Sequence, residues 1–178
     1  MASNANFISQ FVMGGDPCTY KESGELQAEM SKLTHPARPD VDWRQVEKLC
    51  LALFRQNGVE LQTLVCYVLA ITRRQGLAGM ADGLGSLDIL LQRWADFWPV
   101  QVHSRISLLS WVTEKMQQAL RTLDIQYQDL PQIYRCVQHL SAIETTLQQC
   151  ELWHMTKLDL LAGQFRNTAL RLERLAPQ

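Results

Sequence analysis

Apolar residues recur at alternating intervals of three and four along most of this chain. Leu77, Met80, Leu84, Leu87, Leu91, Trp94 and Trp98 form the longest such series. An α-helix turns once in about 3.6 residues, so a series of this kind lines one helix face and needs a cover. A half-buried strand would instead alternate with period two, and no stretch longer than a few residues does so. The chain therefore reads as all-α, an antiparallel multi-helix bundle of about six to seven helices.

The other elements follow from the same interval and from their end signals. Gly14-Gly15-Asp16-Pro17 marks a turn. Ser23 is read as the N-cap of a first helix reaching about Leu33, with Leu26, Met30 and Leu33 on one face. Pro36 and Pro39 make the next segment a loop. Asp42 starts the second helix, with Gln45 at capping-box spacing and Val46, Leu49, Cys50, Leu53 and Phe54 as the stripe. Asn57-Gly58 ends it. A third helix runs from about Glu60 to Gln75, carries Arg73 and Arg74 in its last turn, and stops at Gly76. The fourth carries the series from Leu77 to Trp98 and stops at Pro99. A fifth spans about Arg105 to Leu123. Pro131 opens a sixth through Ile133, Val137, Leu140, Ile143 and Leu147. A last stripe runs through Leu158, Leu161, Phe165, Leu172 and Leu175. The pattern leaves open whether it continues the sixth helix or turns back near Cys150–Trp153. The stripe is expected to pack within its own chain, with self-association as the other reading.

Composition excludes several classes of function. With 178 residues and 47% apolar content, the chain can build a core without disulfides or metal. A formal net charge of −1 argues against nucleic acid as a partner. The N-terminus lacks the basic and apolar regions of a secretory signal. The longest apolar run, Val65 to Ile71, contains Tyr67 and is too short to span a bilayer. Five cysteines, an odd number with no CxxC, indicate a reducing, cytoplasmic setting; any membrane anchor would lie outside this chain.

No motif supplies catalytic chemistry. The cluster Gly76-Leu-Ala-Gly79-Met-Ala-Asp-Gly83-Leu-Gly85 follows a helix and lacks the Lys of a phosphate loop, so close helix packing explains it better. Cys136, His139, Cys150 and His154 could form a zinc set only if the chain reversed between Leu140 and Gln149. No Gly or Pro lies there, so no metal is expected. There is no GxSxG elbow. Glu22, Glu25 and Glu29 read as a solvated helix face, and His35 and His103 as solvated loop residues. Neither a cofactor nor a small-molecule substrate is called for. Five Trp and a strong excess of Arg over Lys do suit interface anchors. The residues expected to contact a partner are Trp43, Arg44, Arg73, Arg74, Arg93, Trp98 and Arg105.

Several runs, taken in order, resemble a known family. They are Asp42-Trp43-Arg44-Gln45-Val46, Leu64 to Leu69, Gly76 to Leu84, Leu90-Leu91-Gln92-Arg93-Trp94-Ala95-Asp96-Phe97-Trp98-Pro99 and Arg105-Ile106-Ser107-Leu108-Leu109-Ser110-Trp111. Asp16-Pro17, Tyr20 and Leu26 to Met30 precede them. The set, over about residues 14–115, resembles the ImpA-type N-terminal domain of TssA-like type VI secretion proteins. The segment before the first helix departs from it at Cys18-Thr19. The resemblance implies residues 1–120 as an ImpA-like helical domain and 121–178 as a helical extension. It also implies a non-enzymatic scaffold of a contractile secretion machine, with sheath, tube, baseplate or membrane-complex proteins as partners. Members are usually longer, which leaves open whether the chain is a piece of a longer protein. Two other readings compete: a helical adaptor unrelated to secretion, and an enzyme with a polar cleft between helices.

Overall fold

The computed structural model describes residues 4–176. Six α-helices follow in order: α1 (Lys21–Ser31), α2 (Trp43–Gln56), α3 (Leu61–Leu91), α4 (Val102–Thr122), α5 (Leu130–Gln149) and α6 (Leu158–Glu173). Short 3-10 turns precede α1, α5 and α6. Among the described residues there is no strand, only an isolated bridge between Met13 and Val59. The all-α reading holds.

Helix α3 is two arms folded against each other. Gly76 has φ 61° and ψ −134°, a conformation that L side chains rarely adopt. In an unbroken helix residues 68 and 83 would stand about 22 Å apart. Instead, a Cβ on Gly83 would lie 2.7 Å from Val68 Cγ1, and one on Gly79 only 2.0 Å from the Ile71 carbonyl oxygen. The second arm thus returns along the first, and the glycines set how close the two arms come. The Gly cluster is a packing device, and the sequence break at Gly76 is real.

The α3 hairpin is the centre of the molecule, with α2, α4 and α5 packed on it. Helix α1 lies against α2, and α6 covers α5 and part of α4. One buried cluster joins Leu53 and Phe54 of α2, Leu84 and Leu87 of α3, Val112 of α4, Leu140 of α5 and Phe165 of α6. Residue 120, where the sequence reading places a domain boundary, falls within α4. The last stripe packs inward: Leu158, Leu161, Phe165 and Leu172 are buried, while Leu175 is exposed.

Some element ends differ from the sequence reading. Helix α1 begins at Lys21, with Ser23 inside it and buried. The cause lies upstream, where Asp16 accepts from Cys18 N at 3.0 Å and winds a turn that leads into the helix three residues early. The stripe from Leu77 leaves the helix at Leu91, so Trp94 and Trp98 sit in the following loop. The chain does reverse after α5, at residues 150–157. The residues with left-handed backbone there are Glu151 (φ 59°) and Lys157 (φ 65°), types that announce no turn. The Leu152 N–H donates to the Leu147 carbonyl, and Trp153 is buried beneath the reversal.

Candidate interaction surface

The expected partner-contacting residues separate into two places at opposite ends of the first arm of α3. One lies where α2 begins. Asp42 caps α2 by accepting from Gln45 N at 3.1 Å. The reciprocal half of the capping box comes from α1 rather than from Gln45: the Asp42 N–H donates to Glu29 Oε2 at 3.1 Å. Trp43, half-buried, is thereby held at the first helical position. The Arg73 guanidinium lies 5.5 Å from the centre of its ring, within cation–π range. Arg74 forms an ion pair with Glu47 of α2. Arg44 is exposed one residue beyond Trp43. Trp43 and Arg73 line a cavity of about 560 Å³ together with Lys32, Arg38, Asp40 and Val41.

The other place is the loop between α3 and α4. Arg105 is 3% exposed, and its donors are spent on main-chain carbonyls. Nε donates to Pro99 O at 2.6 Å, and the two terminal nitrogens donate to Trp94 O and Phe97 O at 2.5 Å each. The guanidinium also lies 3.9 Å from the Phe97 ring centre and 4.6 Å from that of Trp94. These three bonds fix the course of the loop that follows the end of α3 at Leu91. Arg105 thus holds the loop from inside. Arg93, on the surface of the same loop, pairs with Asp96 at 3.3 Å. The Trp98 carbonyl accepts from Leu61 N at 3.0 Å and so satisfies a free donor at the start of α3.

Two structural ionisable groups escaped the sequence reading. Glu60 caps α3 with both oxygens, accepting from Gln62 N at 2.6 Å and Thr63 N at 2.9 Å. Burial pushes its carboxyl up to about 7, although these hydrogen bonds favour the charged form. The signal was present, an acceptor three residues before Thr63 at a helix start. Asp82, inside the Gly cluster, pairs with Arg135 of α5 at 2.5 Å. No local pattern could have joined residues 53 positions apart.

The zinc candidates fall apart. Cys136 is buried with its thiol pushed to about 12 by burial. His154 is exposed and lies 3.0 Å from Asp159. Among the described residues, no group of three His, Cys, Asp or Glu side chains is placed to hold a metal ion. Glu22 accepts from Gln56 at 2.7 Å, and Glu29 accepts from Asp42 N at 3.1 Å, so two of the three carboxylates in that row tie α1 to α2. A second cavity, about 420 Å³ and mainly apolar, opens between α1, α3 and α4 beside Met30, Val65, Leu108 and Trp111. Among the described residues no helix is long and apolar enough to cross a membrane.

No curated protein and no solved structure matches the chain significantly. A family model does, over residues 8–114, which is more than half of the chain and takes in the whole α3 hairpin, the Trp43 notch and the Arg105 clamp. By that match the chain belongs to the ImpA, N-terminal, type VI secretion system family.

Proposed function

We propose that this protein is a non-enzymatic assembly component of a type VI secretion system, acting on the cytoplasmic side and docking sheath, tube or baseplate proteins. The family match over residues 8–114 carries this reading. The fates of the chain's buried ionisable groups support it. Glu60 caps a helix, Arg105 clamps a loop, and Asp82 joins α3 to α5. Each holds elements in place rather than converging on a cleft, as reacting groups would. What remains for a partner is the outer surface, where Trp43, Arg44 and Arg73 stand beside one another in or next to a notch.

Titration of the purified chain against purified sheath, tube and baseplate proteins of the same gene cluster tests the proposal. Saturable binding to one of them is expected. Absence of binding to all of them contradicts it.

A further inference from the structure

The notch at Trp43 has a charge surplus that its own elements do not neutralise. The neighbouring carboxylates are mostly committed. Glu29 pairs with Lys32 at 2.8 Å and also accepts from Asp42 N. Asp42 caps α2, and Glu47 pairs with Arg74. Arg38 and Arg73 make no ion pair among the described residues, and Asp40 is the carboxylate that shares the cavity wall with them. Arg73 is also preorganised, since its guanidinium is held over the Trp43 ring. A planar fork fixed in this way loses little freedom when it takes a carboxylate. Leu33, Val41 and Trp43 add apolar surface to the same wall.

We propose that the Trp43–Arg73 notch receives an acidic segment of a partner protein, with carboxylates meeting Arg38 and Arg73 and an apolar side chain lying against Trp43. The inference rests on the reading of the chain as a docking component and names the chemistry of what docks. Charge complementarity selects the occupant: with Lys32 paired to Glu29, Arg38 and Arg73 against the one carboxylate of Asp40 leave the cavity wall cationic on a chain whose net charge is −1. Nucleic acid and lipid surfaces present phosphates along an extended front, and a near-neutral molecule with one small cationic rim is poorly matched to them. The apolar wall adds a second requirement that a phosphate cannot meet.

A short fluorescent peptide alternating Asp and Leu serves as the probe, with its Asn–Leu counterpart, duplex DNA and phosphatidylserine vesicles alongside. The whole chain is expected to bind the Asp–Leu peptide, with affinity falling as salt is added. Arg38→Glu and Arg73→Glu should each weaken it about tenfold, as loss and reversal of a contacting charge does. Arg55→Glu, at the far end of α2, should leave it unchanged. Both arginines are exposed, so melting midpoints should stay close to that of the unaltered chain. If a charge reversal shifts the midpoint, Arg→Gln at the same position should still weaken binding, by a smaller factor. Equal binding by the unaltered chain and the arginine variants overturns the inference, as does equal binding of the Asn–Leu peptide or preference for DNA or vesicles. The same variants titrated against the secretion components separate the two claims. A component that binds all variants equally removes the notch and leaves the docking function. Components that never bind, beside a peptide that binds through the arginines, remove the secretion role and leave the notch.

Discussion

At the scale of single residues, the buried charges decide what the molecule can tolerate. Among the described residues Arg105 has no carboxylate partner; three carbonyls and two aromatic rings take its place. A lysine there keeps the charge but offers a point donor to a fork-shaped site. Arg105→Lys should therefore lower stability by about 3 kcal/mol, read as a shift of the denaturant midpoint at constant slope. Glu60 makes a prediction with a definite sign. Its folded carboxyl titrates at about 7 against an ordinary 4.5, so between those values the folded state holds more proton than the unfolded one. Stability contributed by this group is present below about pH 4.5 and is lost as pH rises through 7. Glu60→Gln removes the titration, so the variant should gain on the native chain by about 3 kcal/mol from pH 4.5 to 7. A constant difference across that range would show that Glu60 is solvated and ordinary.

At the scale of elements, the sequence showed the helices well and their ends unevenly. The stripes of α2, α5 and α6 were legible because each buries a single face, and Gly76 was legible because glycine is the usual residue at a reversal. Trp94 and Trp98 extended the fourth stripe in phase, yet the helix stops before them. The loop they occupy is held by Arg105, which lies in the next helix and cannot be seen from local spacing. The reversal after α5 was undecidable because Glu151 and Lys157 occupy left-handed positions that sequence assigns to Gly or Asn. The candidate site was partly legible. Trp43 and Arg73 come together because α2 and the first arm of α3 pack side by side, whereas the Arg105 fork, chosen for the same surface chemistry, points inward. Glycine substitutions test the hairpin. Gly83→Ala sets a methyl 2.7 Å from Val68 and should cost about 1–3 kcal/mol. Gly79→Ala, facing a carbonyl at 2.0 Å, should cost more. Gly24→Ala in α1, where nothing lies within 4 Å, should instead stabilise by up to about 1 kcal/mol. Thermal or denaturant melts of the three variants check the order.

At the scale of the whole molecule, the family-matched region and the helices after it share one core. Helix α5 packs on α3, its Ile133, Cys136, Leu140 and Ile143 are buried in the common core, and the Asp82–Arg135 pair joins the same two helices. Leu87→Ala in α3 and Ile143→Ala in α5 should each lower one common unfolding transition, by about 2–5 kcal/mol. Two separable transitions would mean that the later helices form their own unit. A shared core of this kind gives a rigid body whose outer features keep fixed spacing, which suits a part that aligns other parts. The most direct measurement of that role is made in cells of the source organism carrying a fluorescent sheath protein. Deleting the gene should reduce the number of extended sheaths, and the unaltered gene should restore it. Sheath assembly that is the same with and without the gene would contradict the account.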